Sequence, residues 1–177
     1  MRKATQNLRD EHDTILHVFK VMDKVISSTK IQESEKHGIY RDYLYFLRTF
    51  VNKCHHAKEE DHLFRTLELA GVQNEDGPIG QMLKEHAQGK EYIIFMGDAL
   101  EAGDGGRFSI EADRYRELLT SHIKKETGVL FAAADRLLNA DEQNRLFRQF
   151  EEHEKTVMGN GVHEELLAMI RRWESRV

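Results

Sequence analysis

Apolar side chains recur along this chain at alternating intervals of three and four residues, which is the spacing of one face of an α-helix. The first such stripe lies near the N-terminus and comprises Leu8, His12, Ile15, Phe19, Met22 and Ile26. No stretch of useful length alternates between apolar and polar residues as a half-buried strand does. The pattern therefore predicts an all-α protein.

Glycine and proline residues interrupt the pattern and set the expected helix bounds. A second helix is expected over residues 34–69, because Gly71 follows it as a stop signal. Pro78 suits the first turn of a third helix, which the glycine-rich run 103–106 ends. A fourth helix then follows Ser109. The first two thirds of the chain therefore predict a bundle of four helices.

The last third of the chain differs from the rest. Asp141 can cap a fifth helix, which runs to the break at Gly159-Asn160-Gly161. Helical periodicity resumes over residues 162–174. We interpret this part as an appended C-terminal helical hairpin that packs on the bundle.

Composition sets limits on the class of protein. A chain of 177 residues fits one domain, 1–177, in which the bundle takes residues 5–138 and the appended helices take 139–177. The net charge of −5 argues against nucleic acid or an anionic membrane as a partner. No apolar run approaches the roughly 18 residues of a membrane span. The single cysteine, Cys54, and a polar N-terminus predict a cytoplasmic protein.

Six titratable side chains occupy inner-stripe positions where a helical bundle usually places apolar residues. They are His12, His56, Glu60, His86, His122 and Glu126. Two pairs share the spacing His-x-x-x-Glu, which puts both side chains on one helix face, about one turn apart. Burial of a carboxylate without a partner is costly. Two inward carboxylates beside four imidazoles therefore predict a site for two metal ions.

A weak internal repeat supports this arrangement. Glu11-His12 opens the first helical hairpin and Glu85-His86 opens the second, and each is followed by a His-x-x-x-Glu pair on the next helix. A Leu-Phe dipeptide follows each pair, at Leu63-Phe64 and Leu130-Phe131. Two such hairpins packed face to face would bring all six side chains to a shared centre.

The remaining histidines carry no such pattern. His17 is expected to point away from His12, and solvated faces are expected for His37, His55, His62 and His153. Glu59 neighbours a candidate ligand and is expected at the surface, with the alternative that its carboxylate swings in as a ligand, while His163 on the appended helices could approach the site. Imidazole and carboxylate ligands suit Fe, Mn or Zn better than Ca or Mg. Structural zinc prefers a closed four-ligand site, so six ligands favour a carboxylate-bridged metal pair.

These motifs together resemble the hemerythrin-like (HHE cation-binding) family. The resemblance covers roughly residues 5–138, in the family's order, and is carried by Glu11-His12-Asp13, residues 55–60, Glu85-His86 and residues 122–131. It implies an antiparallel up-down four-helix bundle around a non-haem di-iron centre, with two Fe ions and Zn or Mn as substitutes. It also implies that Glu60 and Glu126 bridge the ions and that the four histidines are terminal ligands.

One departure from the family's oxygen carriers bears on function. Those carriers have a fifth histidine where this chain has Lys90, so the resemblance implies two imidazoles on each ion and an open position on the iron held by His86 and His122. It therefore implies oxygen or nitric oxide binding, sensing, or iron handling rather than dedicated oxygen transport. The implied partner is a small diatomic ligand or iron itself, and no residue is assigned a catalytic role.

Two other classes of function stay open at this point. A ferritin-like di-iron oxidase or ferroxidase needs Glu-x-x-His on two helices, and this chain offers only Glu59-x-x-His62. A helical interaction module without metal would keep the histidines as structural residues. Metal analysis separates that module from the other two. The sequence does not indicate an oligomeric state.

Overall fold

The computed structural model describes residues 3–177, and within this range it contains six helices and no strand. In chain order the helices are α1 (Ala4–Ser27), α2 (residues 33–69), α3 (Pro78–Glu101), α4 (residues 105–137), α5 (Ala140–Val157) and α6 (Val162–Glu174). The predicted all-α fold is confirmed. Over the described residues, no helix is both long and apolar enough to cross a membrane.

Helices α1 to α4 form the bundle. Short connections join consecutive helices, so neighbours run antiparallel. Helix α3 packs along α4 and also contacts α2, while α1 contacts both α2 and α4. Helices α5 and α6 lie outside this bundle against α1, and α5 also contacts the middle of α2. The arrangement is the predicted four-helix bundle with two appended C-terminal helices, each of which packs on α1.

Two of the bundle helices contain π-helical segments. In α2 these are Leu47–His56 and Glu59–Leu63, and in α4 the segment is Thr127–Phe131. A π turn closes an i→i+5 hydrogen bond, so each turn holds more residues than an α turn. The segments contain or adjoin the predicted ligands on both helices, which places the widened turns at the candidate site.

The buried face of α2 explains why its turns widen. A strict four-residue repeat of buried residues comprises Tyr43, Leu47, Val51, His55, Glu59, Leu63 and Leu67. In a regular α-helix each four-residue step advances about 40° around the axis, so six steps would rotate the face by about 240°. The π turns remove this rotation. All seven side chains therefore stay on the side of α2 that faces the bundle interior.

The interior consists of two apolar clusters separated along the bundle by a layer of histidines and glutamates. One cluster includes Leu8 and Leu63, and the other includes Phe19. Helix α5 adds Phe150 to the first cluster, and α6 adds Trp173 to the second. The C-terminal helices therefore share both apolar clusters with the bundle.

Two helix starts differ from the sequence expectation because of capping. Helix α4 begins at Gly105, earlier than expected, since an Asp104 carboxylate oxygen accepts the Arg107 backbone N–H at 2.8 Å. Helix α5 is capped by Asn139 rather than Asp141. The Asn139 side chain accepts the Glu142 backbone N–H at 3.0 Å, and the Glu142 carboxylate accepts the Asn139 backbone N–H at 2.8 Å. This reciprocal pair is a capping box.

Substitution of Phe46 by alanine should test the packing of α2. Phe46 is fully buried, and its ring stacks on Phe50 with 5.0 Å between centroids. Loss of the ring should lower the free energy of unfolding by about 3–5 kcal/mol in denaturant titrations. Leu69 is 92% exposed, so Leu69→Ala should change it by less than about 0.5 kcal/mol. Equal effects of the two substitutions would contradict the packing.

Candidate metal centre

Seven buried side chains form two groups in the polar layer of the bundle. The first group is His56, Glu59, His86 and His122, and the second is His12, His55, Glu59 and Glu126. Within each group the potential ligand atoms lie within 4.8 Å of one another. No side chain in either group belongs to a residue that is more than 2% exposed. All four bundle helices contribute to this centre.

Two carboxylates join the groups. One Glu59 oxygen lies 3.1 Å from His55 Nε2, and its other oxygen lies 3.5 Å from His86 Nε2. An oxygen of Glu126 lies 3.3 Å from His12 Nε2 and 3.5 Å from His122 Nε2. Each carboxylate thus contacts histidines of both groups, as a bridging ligand between two ions would.

Several polar atoms of the centre have no hydrogen-bond partner among the described residues. They are His12 Nε2, both ring nitrogens of His56, and both carboxylate oxygens of Glu59 and of Glu126. Buried polar atoms are rarely left in this state, because an unmade hydrogen bond costs the full desolvation penalty. Cations between these atoms would satisfy them, so the donor set fits a pair of metal ions.

The ring nitrogens of His86 and His122 give a second indication. Their Nε2 atoms lie 3.2 Å apart. Each ring donates its Nδ1–H to a carboxylate, His86 to Glu60 at 2.8 Å and His122 to Glu85 at 2.9 Å. In the neutral rings both Nε2 atoms then carry lone pairs that face each other. Ligands of one transition metal, at roughly 2.0–2.2 Å from the ion, have this spacing.

Burial controls the ionisation of most of the histidines. Desolvation lowers the pKa of His55 to about 4 and lowers the pKa values of His56 and His86. His122 differs: burial opposes its protonation, but the neighbouring carboxylates of Glu126 and Glu85 raise its pKa. Neutral imidazole is the form that binds metal. Three of these rings are therefore ready to act as ligands at neutral pH.

The two inner carboxylates, Glu59 and Glu126, repel each other when both are ionised. Burial, together with the nearby Glu126 carboxylate, raises the pKa of Glu59 well above its usual value. Burial also disfavours the charge on Glu126, but the His12 and His122 rings beside it hold its pKa well below the usual value. Two like charges this close are unfavourable without a cation. Positive ions in the centre would allow both carboxylates to ionise.

Four of the five rings are oriented from outside by a partner at Nδ1. The partners are Glu11 for His55 at 2.8 Å, Glu60 for His86, Glu85 for His122, and Thr127 for His12 at 3.3 Å. Such bonds fix the ring and its tautomer and direct Nε2 toward the ion. Only His56 has no such partner among the described residues; its ring stacks on His86 with 3.8 Å between centroids.

The structure brings together five of the six predicted ligands, which are His12, His56, His86, His122 and Glu126. The sixth, Glu60, does not face the interior as predicted. Its side chain is 29% exposed and lies on the outer side of His86. Conversely, His55 and Glu59 were expected at solvated positions and are buried in the centre. The π turns of α2 explain why His55 and Glu59 face the interior and Glu60 does not, because a regular α-helical phase would have turned His56 and Glu60 inward.

Two imidazoles per ion were expected, and the two groups contain three and two. The additional ring is His55, which lies on α2, whereas the fifth histidine of the oxygen carriers would lie on α3. Lys90, at the α3 position of the carriers' fifth histidine, has a side chain that is 49% exposed and lies 3.6 Å from Glu60. A side chain added at Gly89 would place its Cβ 3.3 Å from the Tyr115 ring, so α3 is closely packed there.

The other histidines bond away from the centre. His17 and His163 pair with Glu174 and Glu154, at 2.6 and 3.4 Å. His37 and His153 contact backbone carbonyl oxygens at 3.1 Å and are only partly exposed, against the expectation of solvated faces. The His62 ring packs edge-on against His153, with 5.5 Å between centroids, beside α5. The spacing Glu59-x-x-His62 therefore does not form a ferritin-type ligand pair.

Comparison with known families agrees with this geometry. Residues 3–134 match the family described as the hemerythrin HHE cation binding domain. This stretch contains all seven side chains of the centre and ends within α4, before α5 and α6. Comparisons with curated proteins and with solved structures each gave no significant match. Because the match covers well over half of its length, the chain belongs to the hemerythrin HHE cation-binding domain family.

Proposed function

We propose that this chain binds two iron ions in a non-haem di-iron centre and uses them to bind or sense a small diatomic ligand, oxygen or nitric oxide. One observation carries the proposal: two fully buried carboxylates each contact histidines of two groups, and their oxygens have no hydrogen-bond partner among the described residues. A metal-free interaction module would leave these atoms unsatisfied at high energetic cost.

The proposed ligand set divides seven side chains between two positions. His56, His86 and His122 would hold the first ion, and His12 and His55 would hold the second. Glu59, in place of the predicted Glu60, would bridge the two ions together with Glu126. Nitrogen and oxygen donors of this kind suit iron, with manganese and zinc as substitutes. Iron bound there would supply reversible redox chemistry and an exchangeable ligand position.

The count of ligands indicates where an external ligand would enter. The first position has three imidazoles and the second has only two, while both carboxylates are shared. An ion beside His12 and His55 would therefore have fewer protein ligands than one beside His86 and His122, where the family resemblance implied the open position. The His12 ring stacks on Phe131 with 5.2 Å between centroids, so one wall of the His12/His55 position is apolar. Such a wall favours a small apolar ligand over water.

Iron loading followed by elemental analysis tests the ligand set. Wild-type protein should contain two ions per chain, and His12→Ala should contain fewer, because His12 contacts Glu126 and belongs to the second group. His37→Ala is the matched control and should retain both ions, since His37 bonds the Leu100 carbonyl oxygen instead. One ion or none in the saturated wild-type protein would contradict the proposal.

A titration of the iron-loaded protein distinguishes binding of a diatomic ligand from iron handling. After anaerobic reduction, visible absorption is followed while oxygen or nitric oxide is titrated in, and zinc-loaded protein serves as the silent control. A saturable spectral change at one ligand per pair of ions supports diatomic binding. Uptake of iron well beyond two ions per chain, without such a change, would favour iron handling instead.

A further inference from the structure

A buried lysine is linked to the centre through one glutamate. The Nδ1–H of His55 donates to one oxygen of Glu11 at 2.8 Å, and the ammonium of Lys58 donates to the other oxygen. The same ammonium donates to Asn7 Oδ1 at 3.1 Å. Burial disfavours the Glu11 charge, but the bonds to His55 and Lys58 hold its pKa at about 2. Lys58, Glu11 and His55 thus form one continuous hydrogen-bonded chain, or arm, that leads to the second ion position beside His12 and His55.

The other half of the bundle repeats this arm. The Nδ1–H of His122 donates to one oxygen of Glu85 at 2.9 Å, and the ammonium of Lys125 donates to the other oxygen. Each lysine lies three residues after its histidine, and each glutamate immediately precedes another histidine of the centre. The repeat seen in the sequence therefore includes the outer partners of the ligands, with His55 rather than His56 as the equivalent of His122.

The two arms differ in their exposure to solvent. The Lys125 side chain is 43% exposed, whereas that of Lys58 is fully buried. Helix α5 covers Lys58: its ammonium lies 5.6 Å from the centroid of the Phe150 ring and 3.8 Å from a Glu154 oxygen. The same charge has a much stronger effect in a low-dielectric interior than beside water. The two arms therefore act with unequal strength on their histidines.

Lys58 also accounts for the third cluster of potential metal ligands among the described residues. Glu11, Cys54 and Glu154 offer ligand atoms within 4.8 Å of one another. The Lys58 ammonium already bonds Glu11 and lies near Glu154, so it supplies the positive charge that this cluster needs. The carboxylates of this cluster therefore bind the Lys58 ammonium and do not form a third metal site.

We propose that Lys58, enclosed by α5, is a positioning residue that makes the His12/His55 metal position dependent on the C-terminal helices. Its charge holds Glu11 as a fixed acceptor, and Glu11 fixes the His55 ring with Nε2 toward the ion. Lys125 performs the same role weakly, because water screens it. The inference rests on the proposed di-iron function. It assigns a role to α5, which lies outside the stretch that matches the family.

The test compares Lys58→Met with Lys125→Met, which remove the same charge from equivalent positions. Iron-binding titrations against a competing chelator should show the weaker ion bound at least ~10-fold less tightly in Lys58→Met, as for loss of an outer partner. The loss in Lys125→Met should stay below about fivefold, the limit for an exposed ion pair. In metal-free protein, nitrogen-15 NMR should show the Nδ1–H tautomer of His55 in the wild type and its loss in Lys58→Met.

Each outcome of this comparison is informative. Equal weakening in the two variants, or wild-type affinity in Lys58→Met, would overturn the role of Lys58 while the wild type still binds two ions. A wild type that binds no pair of ions would instead refute the proposed function. If Lys58→Met does not fold, Lys58→Arg keeps the charge and should retain both ions. A folded Lys58→Arg that loses the second ion, or an Nε2–H tautomer of His55 in the wild type, would also overturn the proposal.

Discussion

Glu59→Gln should remove the metal pair, whereas Glu60→Gln should leave two ions per chain. Glu59 is fully buried and contacts histidines of both groups, so its loss affects both ion positions. Glutamine has nearly the same shape but carries no charge and offers one oxygen, which makes it a poor bridge between two cations. Of the side chains in the centre, Glu60 contacts His86, at the outer ring nitrogen, so its substitution should weaken binding without abolishing it.

Elemental analysis after iron loading is the measurement, and circular dichroism confirms that each variant is folded. We expect fewer than one ion per chain for Glu59→Gln. Its metal-free form should melt no lower than metal-free wild type, because a neutral amide is less costly to bury than a carboxylate beside Glu126. If Glu60→Gln lost both metal ions and Glu59→Gln kept them, Glu60 would be the bridging ligand, as predicted from the regular α-helical phase.

Removal of the metal from wild-type protein should lower its melting temperature by at least about 5 °C, the effect of one ion alone. An ion present at 100–1,000 times its dissociation constant adds about 2.7–4.1 kcal/mol to the native state. For a chain of this size, each kcal/mol corresponds to about 2–4 °C. The metal-free state also keeps the unsatisfied nitrogens and carboxylates of the centre, which no side chain among the described residues neutralises.

Differential scanning calorimetry of loaded and chelator-treated protein measures this difference. The Glu59→Gln variant is the control, since iron should not change its melting temperature. An equal rise in both proteins would mean that iron stabilises the fold at some other position. No rise in wild type would mean that the seven side chains form a centre that does not require a cation.

The sequence predicted the bundle because most of its helical turns follow the ordinary α-helical period and because Gly71 follows α2, while Pro78 and Gly103 mark the two ends of α3. It also predicted His12, His86, His122 and Glu126, since α1, α3 and the first part of α4 remain regular up to these residues. The inward-facing members of the doublets His55-His56 and Glu59-Glu60 were harder to predict, because only the rotational phase of α2 decides which residue faces the interior. Both histidines and the first glutamate do so.

The signal that could have corrected this choice is the four-residue repeat of large side chains in α2, such as Leu47, Val51 and Leu63. A regular α-helix cannot keep a strict four-residue repeat on one face, so the repeat itself indicates wider turns. The hydrogen bonds that orient the ligand rings from outside the centre could not be predicted from the sequence for another reason. They depend on tertiary contacts between helices, such as that of Glu11 with Lys58, which no local period encodes.

The division of the interior into two apolar clusters has a consequence for the dynamics of the protein. Each cluster can act as a separate cooperative unit, and several polar atoms in the layer between them have no hydrogen-bond partner among the described residues. Bound ions would connect all four bundle helices at this layer, so neither end could open without breaking a metal bond. Occupancy of the centre would then determine whether the molecule opens as one unit or as two.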